Sequence, residues 1–260
     1  MNSNSDQKIL VLIPARMGST RFPGKPMAKI MDKPMIGHVY DNVKKSKLEL
    51  EVAVATCDEE IYDYIKSIDG NVVMTSDKHE RASDRCAEAL LKIEEKNNIK
   101  YEIVVMVQGD EPMIHPNMIT EAVSPMLDDS KILVINLLGQ IENLEEFEDP
   151  NCIKVVCDLN NNALYFSREP IPTRMNLEKI PMGKQICIIP FRRDFLIEYN
   201  KLEPAPLEIA ESVDMMRILE HGHKVRMIMV DAESYAVDTP EDLQNVIRLM
   251  EGDSYMEKYL

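Results

Sequence analysis

The chain has 260 residues, 45% of them apolar and 29% charged, and a formal net charge of −15. That balance describes a globular protein able to bury a core, and so acidic a chain excludes nucleic acid as a bulk partner. No apolar run reaches the roughly eighteen residues of a membrane span, and the first residues lack the layout of a signal peptide, so a cytoplasmic location is the expectation. The five cysteines, Cys57, Cys86, Cys152, Cys157 and Cys187, form no CxxC pair; an odd set without that spacing points to free thiols, not to a zinc site or a disulfide framework.

The first predicted strand covers residues 8–13 and runs into IPARMGSTRFPGKPMAKIMDKP, residues 13–34. Residues 1–35 hold six basic side chains against two acidic ones, the inverse of the chain as a whole. Gly18, Ser19 and Thr20 let backbone N–H groups come close to an anion. Arg16, Arg21 and Lys25 add fixed positive charge, so a polyphosphate is the economical ligand. The stretch fits neither GxxxxGK[ST] nor GxGxxG, and on charge alone a solvated basic loop explains the same residues.

Residues 34–47 space Met35, Ile36, Val39, Tyr40 and Val43 for a helix, with Pro34 at its first turn and lysines at its last. A strand at 51–56, a helix at 59–68 capped by Asp58 and a short strand at 71–74 complete a βαβαβ order. That alternation predicts a parallel sheet with helices on its faces. Ligands of such sheets sit at the carboxyl ends of the strands, where the cationic loop, Cys57 and Asp58, and Thr75 and Ser76 all fall. A helix capped by Ser83 or Asp84 follows. Residues 101–107 (YEIVVMV) are the most apolar strand, expected to be central. It ends in Gln108-Gly109-Asp110-Glu111-Pro112. A carboxylate just past a buried strand suits magnesium, which takes few protein carboxylates and fills its shell with phosphate oxygens and water; a solvated turn is the alternative.

Residues 115–126 read as a helix, 131–138 as a strand and 141–150 as an acidic, solvated loop. Residues 151–162 and 163–167 (ALYFS) read as a hairpin, followed by Arg168. Beyond it the pattern is less regular until a strand at 224–230 and a last helix, capped by Thr239 and opened by Pro240, with Glu241 and Asp242 in its first turn. Asp238 sits just before that cap.

Taken together, these motifs resemble those of the sugar-acid cytidylyltransferases, nearest to the 3-deoxy-manno-octulosonate (Kdo) branch. The resemblance rests on PAR…GSTR.PGKP near the N-terminus, the segment from His79 to Arg85, QGDEP at 108–112, NxxKVV…ALYFSR..IP at 151–172 and VDTPEDL at 237–243. It implies an α/β fold, a Rossmann-like, mostly parallel sheet with helices on both faces (the nucleotide-diphospho-sugar transferase type) and a smaller β-rich insertion. Residues 1–260 would be one cytidylyltransferase domain, with 165–220 as an acceptor-binding and dimerisation subregion of a homodimer. The implied activity is transfer of CMP from CTP to the anomeric hydroxyl of a 3-deoxy-2-ulosonic acid, with Mg²⁺, for lipopolysaccharide or capsule synthesis. Nucleotide binding is implied for Pro14, Ala15, Arg16, Ser19, Lys25, Thr75, Ser76, Ser83, Arg85, Gln108 and Gly109. Asp110 and Asp238 would hold the metal and, with Arg16 and Lys25, form the catalytic set. Acceptor binding is implied for Gln108, Arg168, Gln185 and Glu211.

The chain also departs from the family pattern. Ala82 and Ser83 stand for the Gly and Thr of His-x-x-Gly-Thr-x-Arg. Where the Kdo branch has His-x-Gly-x-Tyr-x-(Tyr/Phe)-Arg, residues 185–192 place Gln185, Cys187 and Ile189 at the His, Gly and Tyr. Ser212, Asp214 and Met215 differ in the segment that follows. Neutral polar and aliphatic groups cannot reproduce an imidazole's charge or a phenol's hydrogen bond. The departures gather on the acceptor side, which implies the same reaction on CTP with an acceptor such as an amino-substituted octulosonate. Two alternatives stand beside this reading: a cytidylyltransferase for a nonulosonic or phosphonic acid, and a non-catalytic nucleotide-binding homologue. The joint presence of Arg16, Lys25, Asp110 and Asp238 argues against the second.

Overall fold

The computed structural model describes residues 7–19, 21–175, 183–231 and 235–252; Thr20 lies outside them. In chain order the elements are β1 (Ile9–Ala15), β2 (Lys29–Ile30), β3 (Lys33–Pro34), α1 (Met35–Lys44), β4 (Glu51–Thr56), α2 (Glu59–Ser67), β5 (Val72–Met74), α3 (Ala82–Asn97), β6 (Ile103–Val107), α4 (Pro116–Asp128), β7 (Ile135–Gln140) and α5 (Leu144–Glu148). There follow β8 (Lys154–Cys157), β9 (Ala163–Ser167), β10 (Gly183–Ile186), β11 (Ile188–Arg192), α6 (Arg193–Tyr199), α7 (Pro206–Glu211), α8 (Asp214–Glu220), β12 (Arg226–Met229) and α9 (Pro240–Met250).

The first sheet has the order β11-β6-β1-β4-β5. Its β6, β1, β4 and β5 are parallel, and β11 closes the edge antiparallel to β6. Every residue of β1 and β6 is buried, as strands covered by helices on both faces must be. The chain leaves β1 toward β4 on one side and reaches β6 on the other, so the crevice between the ends of β1 and β6 is the topological switch point. The apolar 101–107 stretch is interior as expected, with β1 as the middle strand.

The β-rich part is a second five-stranded sheet, β12-β7-β10-β8-β9. It draws its strands from Ile135 to Met229, a wider span than 165–220, and after Arg192 that span turns helical. Only Cys187 separates β10 in the second sheet from β11 in the first. The chain therefore crosses between sheets at that residue.

Three local expectations are corrected. The 141–150 stretch is not all loop: Asn143 accepts a hydrogen bond from the Glu146 N–H, and α5 buries Phe147 beneath its acidic face. Asp58 occupies the N-cap position of α2 without capping it; its carboxylate accepts the Met17 N–H instead, at 2.8 Å. Helix α3 starts at Ala82, with neither Ser83 nor Asp84 as cap. At α9 the expectation holds: Thr239 and Asp242 form a reciprocal capping box.

Candidate active site

A cavity of about 470 Å³ opens at the switch point, with its wall drawn from the ends of β1, β6 and β11, from the loop before α3 and from residues 212–215. The cationic loop is folded by its own backbone. Met17 donates to Asp58 and accepts from the Ser19 and Gly24 N–H groups at 3.0 Å each. Gly24 takes a φ of 74°, which a residue with a Cβ rarely adopts, and delivers Lys25 inward. Gly109 has a different reason: a Cβ there would lie 3.1 Å from the Pro14 carbonyl, so a larger residue would have to push the end of β1 away from the turn after β6.

Lys25, Asp110 and Asp238 meet although 85 and 213 positions separate the lysine from its two partners. The Lys25 ammonium lies 2.7 Å from Asp110 Oδ2 and 3.3 Å from Asp238 Oδ1. A backbone bond makes this possible: the Val237 N–H donates to the Asp110 carbonyl at 2.9 Å and draws the segment before α9 against the end of β6. Burial opposes the ammonium's charge, but Asp110 and then Asp238 outweigh it and hold the Lys25 pKa above its ordinary value. Arg21 adds a bond to Asp238 at 3.0 Å and one to Asn151 at 2.5 Å.

Three other cations of the wall meet neutral oxygens. Arg16 donates to the His79 carbonyl at 3.4 Å. Arg85 is buried, donates from one terminal nitrogen to Thr75 Oγ1 and the Ser76 carbonyl, and leaves the other terminal nitrogen without a partner. Arg168 donates from Nε to the Glu211 carbonyl at 2.8 Å, from one terminal nitrogen to the Pro150 carbonyl at 2.8 Å and from the other to the Ser212 carbonyl at 3.4 Å. A guanidinium has five N–H donors, so Arg168 is pinned yet keeps donors, and its charge is not cancelled by these partners.

On the same side Gln185 gives its amide N–H to Asn136 Oδ1 at 2.6 Å. Asn136 spends its own amide on the Leu137 and Ile186 carbonyls, which leaves the Gln185 carbonyl oxygen as the acceptor. Cys187 gives its N–H to Glu111 at 3.1 Å and takes the Gln108 N–H on its carbonyl. Burial, with Glu111 and Asp110 nearby, pushes its thiol well above the ordinary range. Arg81 pairs with Asp214 at 3.0 Å, and Ser83 donates to the same carboxylate. Behind them Glu208 and Arg217 form a buried two-pronged ion pair.

Of the residues singled out from the sequence, Pro14, Ala15, Arg16, Ser19, Lys25, Arg85, Gln108, Gly109, Asp110, Arg168, Gln185 and Asp238 all line this one cavity. Thr75, Ser76 and Ser83 stand one bond behind it, as the partners of Arg85 and Asp214. Glu211 is not brought to the wall. Its carboxylate accepts from Tyr165 Oη, Ser167 Oγ and the Arg168 N–H, which makes it a support for Arg168. Sequence reasoning placed Asp58 at the site's end of the sheet but not as a support for the cationic loop, and it missed Arg81 as a wall residue and Glu208 as a support. Only the charge of Arg81 in a loop at a strand end was a signal; the other two have the look of ordinary helix acids.

A doubly wound sheet with a cationic crevice and two facing carboxylates at its switch point defines a nucleotidyltransferase. The description "Cytidylyltransferase" belongs to the family profile that matches residues 10–226. A 3-deoxy-manno-octulosonate cytidylyltransferase of Geobacter metallireducens is 42% identical over 92% of this chain and 96% of its own length. Another, of Syntrophus aciditrophicus, is 40% identical over 95% and 98%. A solved CMP:2-keto-3-deoxy-manno-octonic acid synthetase complexed with CTP is 38% identical, covers 94% of this chain and 98% of its own, and superposes with a TM-score of 0.86. The chain belongs to the cytidylyltransferase family, in its 3-deoxy-manno-octulosonate branch. Membership implies a divalent cation. Among the described residues no group of three or more His, Cys, Asp or Glu is arranged for a metal. The donor set present, two partly exposed carboxylates already gathered around an ammonium, fits a cation that completes its shell with phosphate oxygens and water. No helix among the described residues is long and apolar enough to cross a membrane.

Proposed function

We propose that this enzyme transfers CMP from CTP to the anomeric hydroxyl of a 3-deoxy-2-ulosonic acid, Kdo or an analogue of it, and releases pyrophosphate. The observation that carries this reading is the meeting of Lys25, Asp110 and Asp238 beside Arg16, in a chain 38% identical to a synthetase solved with CTP. Phosphoryl-type transfer asks a protein for positioning and charge neutralisation more than for covalent help. Arg16 and Lys25 supply fixed positive charge along the triphosphate, and Arg85, buried at the wall of the cavity, adds a further positive charge beside it. Asp110 and Asp238 would hold Mg²⁺, which when bound neutralises phosphate charge.

On the acceptor side the pinned guanidinium of Arg168 faces the sugar acid's carboxylate, and Gln108 and Gln185 read hydroxyl or amino groups. Gln185, Cys187 and Ile189 line the wall where the family's usual residues are bulkier or charged, or, at Cys187, smaller. That favours an analogue, such as an amino-substituted octulosonate, over plain Kdo. We further assign the enzyme to the cytoplasm as a homodimer, with 165–220 as the acceptor-binding and dimerisation subregion. Pyrophosphate release from CTP is the test, measured with and without EDTA across Kdo, its 8-amino analogue, a nonulosonic acid and a phosphonic acid. The reading expects metal-dependent turnover with an octulosonate and a preference for the amino form. Turnover with only the nonulosonic or phosphonic acid would overturn it.

A further inference from the structure

Lys154 is a fully buried lysine, 0% exposed, on β8 of the second sheet. Its ammonium donates to two backbone carbonyls, of Asp149 at 2.7 Å and of Arg168 at 2.6 Å. Both bonds bear on the same side chain. The first holds the turn whose next carbonyl, of Pro150, takes the Arg168 guanidinium; the second holds the Arg168 backbone itself. The register of β8 on β9 places Lys154 opposite Ser167, one residue from Arg168. Glu211 grips the other flank through Ser167 Oγ and the Arg168 N–H.

Burying an ammonium is costly, and the carboxylates of Asp149 and Glu169 offset that cost only in part. Burial indeed lowers the pKa of Lys154. An apolar side chain of the same length would fill the space at less expense, so what the ammonium adds is its two bonds and its charge. A second cation behind Arg168, inside the protein where charge is poorly screened, raises the positive potential that an acceptor's carboxylate meets.

We infer that Lys154 is a positioning residue for acceptor recognition: it fixes Arg168 from behind and strengthens the field that binds the carboxylate of the sugar acid. This rests on the reading of Arg168 as the carboxylate's partner.

The test compares Lys154→Met, Arg168→Ala and the double variant on two probes, Kdo and its methyl ester, with CTP binding used to count folded sites. The expected result is a fall of about tenfold in kcat/KM for Kdo with Lys154→Met, carried by KM. The ester should change less than twofold, as should CTP affinity, and the double variant should be no worse than Arg168→Ala alone. Equal losses on Kdo and the ester, or a loss in thermal stability with the acceptor KM unmoved, would overturn the inference and leave Arg168 in place. An Arg168→Ala variant that binds Kdo normally would overturn the reading beneath it. Should Lys154→Met not bind CTP, Lys154→Gln, which keeps two N–H donors without the charge, takes its place, with a smaller Kdo-specific loss expected and an unchanged Kdo-to-ester ratio overturning the charge argument.

Discussion

On the side of the cavity built by β1, β6 and the start of α9, charged side chains answer one another: Lys25 meets Asp110 and Asp238, and Arg21 meets Asp238. On the side built by Arg168, Gln185, Cys187 and Ile189, the cation is held by carbonyls, and aliphatic and thiol groups make up much of the wall. The first arrangement is a set of paired charges that a nucleotide and its cation can re-pair. The second is a rigid frame with one net charge, shaped by supports that do not touch the cavity. In the proposed function, cytidyl transfer falls to the first and the choice of acceptor to the second.

Four variants sharpen that contrast. Lys25→Met should cost the most, about 1,000-fold in kcat, measured by pyrophosphate release at saturating CTP and acceptor. If kcat holds while only KM for CTP rises, the lysine merely binds. Glu208→Gln should leave the guanidinium of Arg217 buried without its carboxylate and lower stability by about 3 kcal/mol, read by urea unfolding.

Arg168→Ala should reduce kcat/KM for the acceptor by about 30-fold, roughly 2 kcal/mol, while KM for CTP stays within twofold. A matching loss for CTP would erase the division between the two sides. The smallest effect is that of Glu88, which lies beside the nucleotide side. Against the burial that would raise its pKa, bonds from Lys92, the Ser76 N–H and His79 hold it at about 2, down from 4.5. A depressed carboxyl stabilises the fold above its unfolded value and loses that contribution as pH falls from 4.5 toward about 2. Glu88→Gln should therefore destabilise by about 1 kcal/mol at pH 7 and by progressively less as acid unfolding is approached, read by chemical unfolding across that range.

The two sides also differed in how far they were legible. Arg16 and Asp110 stand just past apolar strands, where topology alone puts a ligand, and parallel strands bring those ends together; Lys25 follows ten residues beyond β1, on the loop that Gly24 turns inward. Asp238 needed more: its approach depends on one backbone bond from Val237 to Asp110, which no pattern announces. Phe147, fully buried, anchors a short helix in an acidic stretch that reads as loop. Asp58 looks like a helix cap but is better used by the Met17 N–H of a loop 41 positions away. Glu211 binds Tyr165 and Ser167 of β9 and the Arg168 N–H, partners that its helical spacing does not announce. In each case a tertiary partner overrode the local preference.

The shared site of Asp110 and Asp238 is tested most directly by crystals grown with CTP and Mn²⁺, using anomalous scattering to locate the metal. A manganese peak in contact with carboxylate oxygens of both aspartates and with the triphosphate is the expected result. A peak held by the triphosphate alone, with Lys25 still bridging the two carboxylates, would contradict it.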